Sequence, residues 1–226
     1  MCKTSQNKKE ITGYGKKSRG RSEEIFEGVS IMADFLKAFE KTMGKEGEWD
    51  CDPLDVGGET YRGISRRHHP SWDGWKIIDA AKSMPSFPAS LKNNPILALK
   101  VENFYKATYW DVMLCDEITY QELAEELFDT GVNMGISRAA TFLQTALNVL
   151  NRNQQLYPDI LEDGILGAET LLTLEKYQKK DKIDLLLKII NVLQGYHYIQ
   201  YMKKDPRQEK FARGWFSRVT IGKTEV

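Results

Sequence analysis

Helical spacing of apolar residues is the feature that most constrains how this chain folds. From Met32 onward, apolar side chains recur three or four residues apart, and no convincing run shows the strict alternation of a half-buried strand. In the first such segment Phe35, Phe39 and Met43 recur every fourth residue, and Gly44 then lets the chain leave the helix. The pattern predicts a mainly α fold.

The same signals predict further helices along the chain. Asn94 and Pro95 fit a cap followed by a first-turn proline, Ser137 fits a second cap, and Pro206 would stop the last long helix. Between Gly44 and Asn94 the chain is rich in Gly, Pro, Asp and Trp, which predicts turns and loops. The predicted helices span about residues 95–109, 121–134, 137–150, 168–179 and 182–203, with a short closing helix at about 211–219.

Composition excludes several classes of protein. The 226 residues are 41% hydrophobic, enough for a sizeable core. Lys plus Arg equal Asp plus Glu at 32 each, so no basic field favours nucleic acid. Charged residues interrupt the longest apolar stretch, 183–193, which argues against stable membrane insertion. Three cysteines at irregular spacings predict reduced thiols. We expect a soluble monomer.

Residues 1–31 differ in kind from the rest of the chain. Seven Lys or Arg precede position 22 against one acid, Glu10, and no apolar stretch comes after them that would serve as the core of a secretory signal. We interpret this segment as a disordered basic tail. Met32 directly precedes the first helix and offers an alternative start, so the tail need not be native. A nucleic-acid-binding arm is the sharper interpretation, and a solvated charge run is the commoner one.

The segment from Glu46 to Ser65, EGEWDCDPLDVGGETYRGIS, holds most of the reactive side chains. A calcium loop would need an oxygen ligand at Leu54, a glycine at Asp55 and a glutamate at Tyr61, so that interpretation fails. His68 and His69 are adjacent rather than one helical turn apart, which argues against a zinc site. We expect no metal and no cofactor.

The segment does suit the hydrolysis of a glycosidic bond. That reaction needs one protonated carboxylic acid, and a second group that directs water or stabilises the sugar cation. Glu46 suits the first role if apolar neighbours such as Trp49 raise its pKa. Asp55 suits the second, and the Thr60 hydroxyl would hold a water. A surface turn beside a solvated glutamate is the simpler interpretation, and residue chemistry leaves both open.

This segment resembles the signature of the glycoside hydrolase 108 family of phage-type muramidases and secretion-activator proteins, roughly E-G-G-Y-x-x-D-P-x-D-x-G-G-x-T-x-x-G-I-T. The resemblance makes Glu46 the catalytic residue. A looser similarity to phage lysozymes, in which an aspartate stands nine residues after the acid and a threonine follows, favours Asp55 over Asp50 and Asp52. The matching positions are Glu46, Gly47, Asp52, Pro53, Asp55, Gly57, Gly58, Thr60, Gly63 and Ile64.

Three later segments extend the resemblance to about residues 32–219. FDTGVNMGISRAATFLQTALN, DGILGAETLLTL and YHYIQYMKKDPRQEKFARGWFSRV look like the predicted peptidoglycan-binding region that follows the catalytic part in this family. The resemblance implies a lysozyme-like helical fold with a C-terminal helical peptidoglycan-binding-like region. We expect residues 32–122 to form the catalytic region and residues 123–226 to form the peptidoglycan-binding region, packed on the first.

Four further residues are candidates for substrate binding. Trp49 and Tyr61 offer ring faces that can stack on sugars, and Asp52 is a polar group of the same motif. The resemblance places Asn133 after a helix near the cleft. There it would bind an acetamido group or stabilise a turn, and the sequence leaves the two open.

The resemblance implies a muramidase that cuts the β-1,4 bond between N-acetylmuramic acid and N-acetylglucosamine in bacterial peptidoglycan. A lytic transglycosylase, a non-catalytic peptidoglycan-binding or secretion-assisting protein, and a chitinase-like specificity are the alternatives. Without a signal peptide, we expect synthesis in the cytoplasm of a bacterium, as an endolysin from a prophage. A holin or other export machinery would then give access to the cell wall.

Overall fold

The computed structural model describes residues 32–44, 49–51 and 58–220. Within these ranges the chain is mainly helical, which confirms the predicted fold class. The helices are α1 (Phe35–Met43), α2 (Gly74–Ala81), α3 (Pro95–Tyr105), α4 (Gln121–Met134), α5 (Ile136–Leu150), α6 (Ala168–Gln178), α7 (Ile183–Lys204) and α8 (Ala212–Phe216). The strands are β1 (Trp49–Cys51), β2 (Glu59–Tyr61) and β3 (Ile64–Ser65).

Local capping explains where two of the helices begin. The Asp34 carboxylate accepts hydrogen bonds from the first amides of α1, and the Asn94 side chain does the same for α3, directly before Pro95. The predicted cap at Ser137 is wrong, because α5 begins one residue earlier, at Ile136. Gly135, with φ of 92°, turns the chain between α4 and α5.

A small antiparallel sheet and the helix α2 lie where the sequence predicted only loops. The strand order is β1-β2-β3, and the strands hold three, three and two residues. Such short strands show too little alternation to be recognised in a sequence. Helix α2 is only 8 residues long, and its buried positions include Trp75, Ile78 and Ala81.

Helix α4 lies at the centre of the core. Leu123, Leu127 and Phe128 are each 0% exposed, and α1, α5 and α7 pack against this helix. The Phe35 ring of α1 contacts Phe128 edge to face at 5.8 Å between centroids, and Trp110 at 5.6 Å. The start of α1 is therefore held against the buried helix α4.

The described residues belong to one compact unit. The predicted boundary between residues 122 and 123 stays a prediction, and the predicted basic tail, residues 1–31, lies outside the described residues. Cys51 is an exposed free cysteine and Cys115 a buried one. Across the described ranges, no helix combines the length and the apolarity needed to cross a membrane.

Candidate active site

Helix α1 carries the chain toward the predicted catalytic acid. Phe35, Phe39 and Met43 are buried on one side of α1, as their spacing predicts, and the amide of Gly44 closes the last turn on the Glu40 carbonyl at 2.9 Å. Glu46 follows Gly44 by two residues in the sequence. It lies outside the described residues, as do the predicted site residues Asp52 and Asp55.

The register of the sheet decides which way Thr60 faces. Thr60 of β2 pairs with Asp50 of β1 and with Ser65 of β3. Because side chains alternate along a strand, these three share one face of the sheet. Tyr61 is buried on the opposite face. The sheet therefore turns Thr60, a half-buried residue, away from the face that carries Tyr61.

The two predicted sugar-stacking residues differ in their surroundings. Trp49 is half-buried, donates its indole N–H to Glu59 Oε1 at 2.9 Å, and contacts Phe87 edge to face at 4.7 Å. Tyr61 is only 3% exposed, and its hydroxyl donates to the Leu91 carbonyl at 3.4 Å. A ring buried to this degree presents no face to a sugar, so its placement favours a packing role over the predicted contact.

An ion-pair network ties the sheet to α2. Glu59 forms ion pairs with Arg66 at 2.7 Å and with Lys82 at 2.9 Å, and Asp79 accepts hydrogen bonds from the same two cations. Burial by itself would raise the pKa of Glu59, but hydrogen bonds from Lys82 and Trp49 and the charge of Arg66 lower it. Glu59 is therefore an ionised structural anchor rather than a protonated acid.

An acidic groove of about 400 Å³ lies at the end of α1. Lys41 donates to Glu125 of α4 at 2.6 Å, and buried Thr42 of α1 lines the groove together with Asp129. Arg218 pairs with Asp129 from the other side, at 2.5 Å. The groove is also lined by Glu126, Gly214, Ser217 and Thr220. The groove thus combines α1, α4 and the closing segment of the chain.

Glu126 stands out among the groove residues. Burial, and then the neighbouring charge of Asp129, raise its pKa from 4.5 to about 7, despite hydrogen bonds from Asn191 and Thr130. Sequence reasoning missed Glu126 and Asp129. The available signal was their position on the buried side of α4, next to Leu127 and Thr130 and three residues apart.

Asn133 lies within α4 rather than after a helix. Its side-chain amide donates to the Asp129 carbonyl one turn earlier, at 2.7 Å, and the residue is exposed. The predicted contact with an acetamido group stays a prediction. Within the described ranges, no three or more His, Cys, Asp or Glu side chains are grouped so that they could hold a metal ion.

Two family models match this chain, one after the other along the sequence. Residues 39–135 match the family model described as glycosyl hydrolase 108. Residues 138–220 match the model described as predicted peptidoglycan domain. Residues 39–135 therefore make up a glycosyl hydrolase 108 region. The two matches stand in the order that the resemblance implied, and they confirm the resemblance.

The fold of this chain is similar to a solved structure of Brucella abortus SagA. The TM-score is 0.53 with 22% sequence identity, over 82% of this chain and 88% of the SagA chain. Among curated proteins, none matches the sequence. The acidic groove joins the two matched regions, because Asp129 belongs to the first and Arg218 to the second.

Proposed function

We propose that this protein is an N-acetylmuramidase that hydrolyses the β-1,4 bond between N-acetylmuramic acid and N-acetylglucosamine in peptidoglycan. The observation that carries the proposal is the glycosyl hydrolase 108 match over residues 39–135, directly followed by the predicted peptidoglycan domain. The framework supports it, because α1 leads toward Glu46 and the sheet carries Thr60.

Glu46 acts as the proton donor to the leaving oxygen in this proposal. A carboxylic acid keeps its proton at neutral pH when burial or nearby negative charge raises its pKa. The helix end that precedes Glu46 is flanked by the carboxylates of Glu125 and Asp129, balanced by Lys41 and Arg218. Glu46 itself lies within the region matched as glycosyl hydrolase 108, and its assignment rests on that place in the sequence.

The second role falls to Asp55, which directs water or stabilises the ring cation, with the Thr60 hydroxyl holding the water. Thr60 lies on the sheet face opposite to buried Tyr61, which supports access to a ligand. Asp50 shares that face directly across from Thr60. Separate substitutions of Asp50, Asp52 and Asp55 by Asn would therefore rank the three aspartates, and we expect the largest loss for Asp55→Asn.

The decisive experiment digests purified peptidoglycan and identifies the products by mass spectrometry. We expect the wild type to release fragments with new reducing-end muramic acid, and Glu46→Gln to be slower by about 10²- to 10⁴-fold, because general acid catalysis contributes that much. Glu40→Gln is the matched control, since Glu40 is an exposed glutamate of α1. It should cleave at the wild-type rate.

Other outcomes of this digestion separate the alternatives. Anhydro-muramic products would identify a lytic transglycosylase. Wall binding without any cleavage, unchanged in Glu46→Gln, would identify a binding or secretion-assisting protein. Cleavage of chitin at a rate equal to that of peptidoglycan would show a chitinase-like specificity. Equal rates of muramic acid release by the wild type and Glu46→Gln would contradict the assignment of Glu46.

A further inference from the structure

Four aromatic side chains in the second matched region form a continuous array. The Phe211 ring contacts Trp215 at 5.7 Å between centroids, and Trp215 contacts Tyr201 at 5.8 Å. Tyr201 in turn stacks on His197 at 6.4 Å. Tyr201 and Phe211 are 45% and 46% exposed, and the other two rings are half-buried. We call Phe211, Trp215, Tyr201 and His197 the aromatic platform.

The platform forms because the chain reverses direction after α7. The Asp205 carboxylate accepts a hydrogen bond from the Arg207 amide at 3.2 Å, which caps a 3₁₀ helix (Pro206–Phe211). This helix and α8 fold back onto α7. Beneath them, buried Tyr198 stacks on Trp215 at 5.1 Å, with 13° between the ring planes. The rings are therefore held in place before a ligand arrives, which lowers the entropy cost of binding.

The exposure of the platform indicates a binding surface. Single exposed apolar side chains are ordinary on proteins, whereas contiguous exposed patches mark interaction sites. Phe216 enlarges this patch, since it is 38% exposed and its ring lies 6.1 Å from that of Tyr198. Flat ring faces suit the C–H faces of sugars, and the edges of Tyr, Trp and His carry hydrogen-bonding groups. The platform therefore fits a glycan better than a purely apolar ligand.

Cations lie beside two of the platform rings. Lys210 Nζ lies 4.7 Å from the centroid of the Phe211 ring. Burial lowers the pKa of His197, and the charge of nearby Arg138 of α5 lowers it further. Residues 203–213 carry five Lys or Arg against two acids, although the whole chain is neutral. This local positive charge favours a ligand that carries negative groups.

We infer that the aromatic platform is a binding site for the glycan strand of peptidoglycan. Sugar rings stack on Tyr201, Trp215 and Phe211, and carboxylates of the stem peptides pair with the neighbouring cations. This inference rests on the proposed function, because it takes the bound strand to be the substrate. It assigns wall binding to particular residues of the second matched region, which the match to a predicted peptidoglycan domain does not do.

The test measures binding of the full chain to insoluble peptidoglycan by co-sedimentation, with Glu46→Gln in every protein so that the wall stays intact. We expect Tyr201→Ala and Phe211→Ala each to weaken binding about 10-fold, because truncating a central ring removes most of its contact. Tyr201→Phe keeps the ring face and should bind as the Glu46→Gln parent does. Tyr196→Ala is the matched control, since Tyr196 is an exposed tyrosine of α7 outside the platform.

A charge reversal tests the part played by the cations. Lys210→Glu should weaken binding to peptidoglycan about 5-fold at low salt, because it places a negative charge beside the carboxylates of the strand. High salt screens exposed charges, so the difference from the parent should shrink there. Lys180→Glu is the matched control, since Lys180 is an exposed lysine that precedes the opposite end of α7. Equal binding by the two charge variants would overturn the pairing with carboxylates.

Other results would overturn the whole inference. Because Tyr201 and Phe211 are exposed, their truncation should leave the thermal unfolding midpoint close to that of Tyr196→Ala. Equal binding by these three folded variants would exclude a platform for glycan. Binding to phosphatidylglycerol vesicles that Phe211→Ala abolishes, with unchanged binding to peptidoglycan, would assign the rings to a membrane surface instead. If the wild type releases no muramic acid, the proposed function fails, whereas co-sedimentation needs no cleavage and still decides the platform.

Discussion

At the scale of single residues, Glu126 has a pKa well above the ordinary value of a glutamate. It lies on the central helix α4, next to the Asp129 carboxylate, and its pKa is raised to about 7 mainly by burial. A glutamate of this kind is neutral at acidic pH and charged at mildly alkaline pH. Its ionisation therefore adds a further negative charge to the groove near the end of α1, beside the Glu125 and Asp129 carboxylates.

Glu126 makes the stability of the protein fall as pH rises. Its pKa is raised on folding, so its stabilising contribution is complete below about 4.5 and is lost as pH rises through about 7. A shift of this size corresponds to up to roughly 3 kcal/mol. We expect the unfolding free energy of the wild type, relative to Glu126→Gln, to drop by up to that amount between pH 4.5 and pH 8 in urea titrations.

Glu122→Gln is the control for this measurement, because Glu122 is an exposed glutamate on the same helix, one turn earlier. Its stability difference from the wild type should not change with pH over this range. A wild-type curve that runs parallel to that of Glu126→Gln at every pH would show that Glu126 ionises with an ordinary pKa.

At the scale of elements, the small sheet depends on the contacts of Glu59. Strands of two or three residues are too short to be stable by themselves. The Glu59 side chain is 11% exposed, and it joins β2 to the Trp49 indole, to Arg66 and to Lys82 of the turn after α2. Arg66 also lies 4.4 Å over the Trp75 ring of α2, so the anchor is both ionic and aromatic.

Glu59→Gln should loosen the sheet more than the rest of the fold. Glutamine can still accept from Trp49, but two cations lose a carboxylate in a partly buried setting, which should cost about 1–3 kcal/mol. We expect faster amide hydrogen exchange over residues 59–66, with exchange in α4 little changed. Glu40→Gln provides the baseline. Equal acceleration in α4 and in the sheet would show that Glu59 supports the whole fold instead.

At the scale of the whole molecule, the two matched regions share one core. Helices α5 and α7, in the second region, pack against α4 of the first. Gln194 of α7 donates to the hydroxyl of Thr130 of α4 at 3.1 Å, and both residues are 0% exposed. The boundary between the family models at residues 135–138 therefore does not mark a boundary between independent cores.

A fragment ending at residue 135 should not fold. Removing α5 and α7 exposes apolar side chains of α4, each worth about 1.5–3 kcal/mol when buried. Losing the burial of several such side chains would cancel a total free energy of unfolding of about 5–15 kcal/mol. We expect residues 32–135 to show no cooperative transition in calorimetry, whereas residues 32–220 should melt as the full chain does. A sharp transition in the shorter fragment would contradict a shared core.

Much of the helical framework could be predicted, because its signals are local. The bounds of α4 were predicted as observed, and α6 and α7 within one residue at each end, since each carries a periodic apolar stripe and clear end signals. The start of α5 was missed by one residue because a glycine with positive φ replaced the expected cap. The sheet was missed because its strands are too short to alternate.

The candidate site, too, was predicted in part from the sequence and decided in part by the tertiary structure. The sequence by itself determined the motif from Glu46 to Ser65 and its resemblance to the glycosyl hydrolase 108 family, because a family is recognised by particular residues at particular spacings. Only the tertiary structure decided that Tyr61 packs in the core and that Arg218 meets Asp129 from 89 residues away. Contacts between distant segments depend on how helices pack together, and no local pattern encodes that packing.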